Sequence, residues 1–85
     1  MKEIKDLLDA KKLIIGTDVI IKKLNKNALN KIFIAKNCPD KIKDELKNLT
    51  AISSIPLVEI DMNNDELGTY CRKPFHISVI AELKE

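Results

Sequence analysis

Lys31-Ile32-Phe33-Ile34-Ala35-Lys36-Asn37-Cys38-Pro39-Asp40 is the stretch whose reading decides the architecture. Four apolar residues in succession, Ile32 to Ala35, leave neither face polar, the pattern of a central strand covered by helices on both sides. Lys36 and Asn37 end that run. Pro39 then fits the first turn of a helix, and Asp40 behind it suits the positive helix end. Outward toward the carboxyl terminus, Ile42, Leu46, Leu49 and Ile52 supply the buried stripe of this helix. Lys41, Lys43, Asp44, Lys47 and Asn48 take its wet side, and Ser53-Ser54 closes it. Pro56 to Ile60 reads as a strand with proline at its first position, where a missing donor is tolerated. Asn63 or Asn64 caps a further short helix, with Glu66 at capping-box spacing from Asn63. That helix runs out between Gly68 and Cys71. Arg72-Lys73-Pro74-Phe75 turns the chain, and a strand from Phe75 to Leu83 follows.

Outward toward the amino terminus, Asn27 to Asn30 is a break, preceded by a helix from Asp18 to Asn27. Val19, Ile20 and Leu24 form its stripe, and Lys22, Lys23 and Lys26 face water. Thr17 is placed to cap it. Leu13-Ile14-Ile15 is a short buried strand ended by Gly16, a residue suited to a special backbone turn. Ile4, Leu7 and Leu8 stand at i, i+3, i+4 and define a first amphipathic helix. Helices and strands thus alternate strictly. The fold class expected is α/β, a three-layer α/β/α sandwich with one sheet between helices.

With 85 residues the chain has room for one core, and residues 1–85 are expected to form a single domain. Its hydrophobic fraction of 45% is that of a globular protein, and no stretch approaches a membrane span. The start MKEIKDLLDA mixes charge with single leucines and so lacks the apolar block of a secretory leader. A soluble, intracellular, cytoplasmic protein is expected. Catalysis is not: a nucleophile needs a base and an orienting group, and only Cys38, Cys71, His76 and scattered carboxylates are available. His76, the one histidine, falls within an alternating run and reads as structural or surface. Metal ligands are too few, glycine-rich phosphate loops are missing, and no cofactor is expected. Cys38 and Cys71 read first as buried thiols of a reducing compartment, and more weakly as a redox pair.

In a sheet of this kind the ligand crevice lies beyond the carboxyl ends of the strands. That rule brings Gly16-Thr17-Asp18 beside Lys36-Asn37-Cys38. If the last strand runs antiparallel to its neighbours, the turn Arg72 to Phe75 joins them at the same end. A formal net charge of +2 neither demands nor excludes nucleic acid, because binding depends on how cations gather. Lys22, Lys23, Lys26, Lys36, Arg72 and Lys73 are each readable as solvated faces. Gathered at one sheet end, they would offer phosphate contacts, with Asn37 free to bond a base edge and Phe75 free to stack. Core packing is the competing reading for Phe75.

Three pieces of the sequence, KIFIAKNCPDKIKDELKNL, IPLVEI and NDELGTYCRKPFHISVIAEL, resemble the kink-turn-binding ribosomal protein superfamily of the L-seven-Ae and L-thirty-e type, most closely its archaeal and eukaryotic L-thirty-e branch. The similarity spans residues 2 to 83. Its most specific segments are Ile34 to Pro39 and Glu66 to Thr69. The resemblance implies a four-stranded mixed sheet in the three-layer sandwich and a structural role in the large ribosomal subunit. The implied partners are a kinked ribosomal RNA helix and neighbouring ribosomal proteins, with a monomer outside the ribosome and no membrane. Carried over residue by residue, the RNA-facing loop falls on Gly16, Thr17 and Asp18, with Lys22 a turn later. The family's strand-end asparagine falls on Asn37, next to Lys36, and Phe75 is the aromatic or apolar contact beside Gly68, Thr69, Arg72 and Lys73. The sequence departs from the pattern at Asp18, where relatives often carry asparagine or a cation. It departs also at Val19, the place of a glutamate in the L-seven-Ae type, and at Arg72, where a glycine is common. An acid at position 18 can accept from a guanine amino group but is repelled by phosphate. A protein-interaction or regulatory module, or a kink-turn binder in another ribonucleoprotein, is the alternative function.

Overall fold

The computed structural model describes residues 2–84. Its elements are α1 (Lys2–Asp9), β1 (Leu13–Ile15), α2 (Thr17–Asn25), β2 (Leu29–Ile34), α3 (Asp40–Ser53), β3 (Leu57–Glu59), α4 (Asn64–Tyr70) and β4 (Val79–Leu83). The strands form one mixed sheet in the order β1-β4-β2-β3. β4 runs antiparallel to both β1 and β2, whereas β2 and β3 are parallel. The expected α/β/α sandwich with a four-stranded mixed sheet is therefore the observed fold.

Period-2 alternation sorts the strand residues onto two faces. Ile32 and Ile34 of β2, Val79 and Ala81 of β4, and Ile14 of β1 pack with Ile20, Leu24 and Leu46 of α2 and α3. Phe33, Ala35 and Ile80 point the other way, into a cluster with Ile4 of α1 and Leu67 of α4. This two-sided burial explains why Ile32 to Ala35 carries no polar residue. Each such side chain removed from water contributes about 1.5 to 3 kcal/mol. Leu29 shares a face with Ile32 although three positions separate them. A register irregularity between Leu29 and Lys31, at Asn30, resets the parity.

Several boundaries differ from those the sequence pattern predicts. β2 begins at Leu29, inside the stretch expected as a break, and β4 begins at Val79, four residues after Phe75. Pro56 lies just before β3, its carbonyl accepting from the Ile32 amide. Ile52 is 81% exposed and takes no part in the buried stripe of α3. Gly16, rather than Thr17, occupies the N-cap of α2, and its φ of 109° is a backbone state that glycine alone adopts without strain. The helix ends are alike in using left-handed residues with side chains. Lys11, Asn27, Ser54 and Arg72 have φ between 56° and 63°. At Arg72 the closure is of the Schellman type: its amide donates to Thr69, and the Lys73 amide donates to Gly68.

Candidate nucleic-acid interface

The antiparallel direction of β4 decides where the candidate residues meet. Ile80 pairs with Ile15 and Val79 with Ile34, so the segment leading into β4 stands at the end where β1 and β2 finish. The expected convergence of the 16–18, 36–38 and 72–75 segments is thus a property of the topology.

α4 aims the last of these segments. Asn63 and Glu66 form a reciprocal capping box: the Glu66 amide donates to Asn63 Oδ1 at 2.8 Å, and the Asn63 amide donates to Glu66 Oε1 at 3.0 Å. Leu67 anchors the helix in the core, and the Schellman closure at Arg72 turns the chain back along it. Gly68 is the point of contact. A Cβ there would fall on the Phe75 carbonyl oxygen and lie 3.2 Å from its carbon, so only glycine lets the returning strand of chain pass.

Phe75 emerges from this turn 53% exposed, between two open cavities. One, of about 210 Å³, is lined by Ile15, Gly16, Thr17, Ile42 and Val79 as well as Phe75. The other, of about 260 Å³, is lined by Asp65, Thr69, Lys73, Pro74 and His76 with Phe75. The pair offers an apolar recess on one side of the ring and a polar one on the other. Of the residues expected from sequence, Gly16, Thr17, Thr69, Lys73 and Phe75 line these cavities, and Gly68 backs them. Asp18, Lys22 and Arg72 are exposed but outside the cavity walls. Lys36 also lies outside and is 3.9 Å from Asp61 in an exposed pair. Asn37 is not free to bond a base edge with its whole amide. It donates from Nδ2 to Asn64 Oδ1 at 3.1 Å and accepts at Oδ1 from the Asn64 amide at 2.7 Å.

Two wall residues escaped the sequence reading. His76 was expected inside a strand but stands exposed in the connecting segment, with Nε2 3.3 Å from Asp65 Oδ1. Asp65 places a carboxylate in the cavity that also holds Lys73. The spacing of eleven residues between Asp65 and His76 carries no periodic signal, so only the fold of the turn reveals the pair.

Elsewhere, Lys43 Nζ donates to Glu59 Oε1 at 2.7 Å. This hydrogen bond raises the Lys43 pKa and lowers that of Glu59. Burial pushes the Cys38 thiol up against the opposing pull of Lys43, and burial pushes the Cys71 thiol up as well. The two thiols pack in different clusters on opposite faces of the sheet, so a direct bridge between them would have to cross it. Among the described residues, no three His, Cys, Asp or Glu side chains are grouped to hold a metal ion, and no helix is long and apolar enough to cross a membrane.

Comparison with known proteins bears on the family and the fold. The model of the Ribosomal protein L7Ae/L30e/S12e/Gadd45 family matches residues 1–85. The chain belongs to this family. Among the similar members, large ribosomal subunit protein eL30 of Sulfolobus acidocaldarius is 32% identical over 83 residues, covering 98% of this chain and 80% of that protein. Its counterpart from Sulfurisphaera tokodaii is 35% identical over 79 residues, covering 93% and 74%. Of solved structures, the Giardia lamblia 15.5kD RNA binding protein superposes with a TM-score of 0.82 at 20% identity, over 96% of this chain and 68% of that one. A Bacillus halodurans protein of unknown function gives the same TM-score at 18% identity, over 89% of this chain and 75% of that one. At these identities the two likenesses show the fold alone.

Proposed function

We propose that this protein is an RNA-binding structural constituent of the large ribosomal subunit that grips a kinked RNA helix, of the kink-turn type, at the carboxyl end of its sheet. The observation that carries this reading is Phe75, a half-exposed ring set between an apolar recess beside Gly16 and a polar one beside Lys73. A straight duplex keeps its bases stacked and offers no free face to such a ring, whereas a sharp bend exposes them. Family membership and the large-subunit names of the relatives support the ribosomal assignment. The role is structural rather than catalytic, with residues 1–85 acting as one binding domain in the cytoplasm and as a monomer away from the ribosome. Gly16, Thr17, Thr69, Lys73 and Phe75 form the contact, flanked by Lys22, Lys36 and Arg72 as phosphate partners.

A second reading, a protein-interaction module of the same fold, is favoured by one feature. Asp18 is exposed on the first turn of α2, and Asp65 adds another carboxylate to the cavity wall. Equilibrium binding of a kink-turn RNA and a straight duplex, each at two salt concentrations, separates the two. Tighter binding to the kink-turn, with an affinity that falls as salt rises, is expected. Equal weak affinity for both RNAs would reject the RNA reading.

A further inference from the structure

We propose that Asn37 is a positioning residue that acts through Asn64, strapping the end of β2 to the start of α4 and thereby fixing the Phe75 turn. The proposal rests on the RNA-binding reading for its functional consequence, but its geometry stands apart from it. Asn64 is the first residue of α4, and the first amides of a helix have no partner within it. Asn63 spends its side chain on the Glu66 amide, which leaves the Asn64 amide to be satisfied from outside. Asn37 Oδ1 supplies that acceptor at 2.7 Å. A backbone amide can only donate, so its bond fixes which way the Asn37 side chain faces. Nδ2 must then point at Asn64 Oδ1, where it donates at 3.1 Å. A primary amide is suited here because the site presents one donor and one acceptor together.

Asn64 passes the constraint on. Its carbonyl accepts from the Ile77 amide at 3.0 Å, two residues beyond Phe75. Neighbouring backbone bonds run parallel to this one. The Lys36 amide donates to Met62 at 2.9 Å, and the Ala35 amide donates to Ser78 at 2.9 Å. Residues 35–37, 62–64 and 77–78 are therefore one hydrogen-bonded knot, and Asn37 is the side chain within it that spans from β2 to α4. An asparagine amide has two donors and two lone pairs, so one of each remains for a ligand after the strap is made. Its contribution to RNA affinity nevertheless includes holding Phe75 in place, and that part depends on Asn64.

Amide hydrogen exchange of the free protein and kink-turn RNA affinity, measured on Asn37→Ala, Asn37→Asp, Asn64→Ala and the Asn37→Ala/Asn64→Ala pair, test this. In Asn37→Ala, exchange at the Asn64 and Ile77 amides is expected to quicken about tenfold or more, while amides of β2 stay protected. Asn37→Asp keeps the acceptor and should retain protection at the Asn64 amide. Asn64→Ala removes only the longer side-chain bond and should weaken RNA binding less than Asn37→Ala does, and the pair should weaken it no more than Asn37→Ala alone. Unaltered exchange at both amides in Asn37→Ala would overturn the strap. Affinity losses that multiply in the pair would make Asn37 an independent reader of RNA and overturn the positioning role. If the unsubstituted protein fails to prefer a kink-turn, the RNA reading falls and the exchange data alone decide whether Asn37 holds α4.

Discussion

An aromatic ring left 53% exposed contributes little to holding the fold together, so its two readings, stacking and packing, predict different losses. Phe75→Ala is expected to weaken kink-turn binding by about 1 to 3 kcal/mol, the range measured for base stacking on aromatic side chains. Its denaturant midpoint should stay close to that of the unsubstituted protein. A shifted midpoint with unchanged affinity would assign the ring to packing instead. Arg72 allows a second separation. Its φ of 63° is the left-handed state that glycine occupies freely, so the position keeps a glycine conformation while carrying a cation. Arg72→Gly relieves that strain but loosens the unfolded chain, and a net gain of about 0.5 to 1 kcal/mol in unfolding free energy is expected. If Arg72 contacts phosphate, the same variant loses about one unit from the salt dependence of RNA binding. At this scale the sequence was legible where chemistry is local, as in Gly16 at its turn and the Asn63 to Glu66 box, whereas stacking and packing stayed open for Phe75 until the fold left its ring exposed. Partnerships such as Asn37 with Asn64 and Asp65 with His76 were not legible, because they join residues 27 and 11 positions apart through the fold alone.

Among the elements, the helices kept most of their 3.6-residue stripes, although Val19, expected in the buried stripe of α2, is 47% exposed, and β2 followed from its unbroken apolar run. The approach to β4 did not follow from its alternation. Ile77, Val79 and Ala81 read as one strand face, yet Ile77 packs on the α1 and α4 side and Val79 and Ala81 on the other. The chain turns over between them, since the Ile77 amide is committed to the Asn64 carbonyl instead of a strand neighbour. Ile52 misled in the opposite way, because it fits the periodicity of α3 but lies at the helix end, where no element covers it. α4 offers a test of how tightly an element can hold a loop. Alanine in place of glycine favours an isolated helix by about 1 kcal/mol. Gly68→Ala should nonetheless destabilise the protein and weaken RNA binding, because the added methyl meets the Phe75 backbone. Thermal unfolding and RNA titration of this variant check both effects, and a stabilised variant with full affinity would show that the turn yields without consequence.

For the molecule as a whole, its ionisable groups predict limits on both sides of neutrality. The Cys38 and Cys71 thiols have pKa values raised by burial, so the folded state holds its protons to higher pH than the unfolded chain does. The stability they provide is complete below the unfolded thiol pKa of about 8.5 and is lost as pH climbs through the folded values. Denaturant titrations between neutral and alkaline pH should therefore show falling stability, and a Cys38→Ala/Cys71→Ala variant should flatten that fall. Glu59 acts oppositely. Its pKa is lowered by Lys43, so its contribution is present above about pH 4.3 and disappears as pH drops through the folded value. Glu59→Gln should accordingly remove part of the acid sensitivity. The meeting of the 16–18 and 36–38 segments at one sheet end was legible from alternation, whereas the arrival of 72–75 there turned on the direction of β4, and the cavities flanking Phe75 required the path of residues 72–78.

The strand order also has a temporal meaning. β4 inserts between β1 and β2, and Leu13 finds its partner at Glu82 near the far end of the chain. During synthesis the first three strands therefore emerge with the place between β1 and β2 vacant, and β1 lacks its sheet partner until β4 leaves the translating ribosome. Closure of the sheet and completion of the edge around Phe75 become a single late event. A nascent chain arrested before Val79 should thus lack the finished edge around Phe75 on which the proposed RNA binding depends.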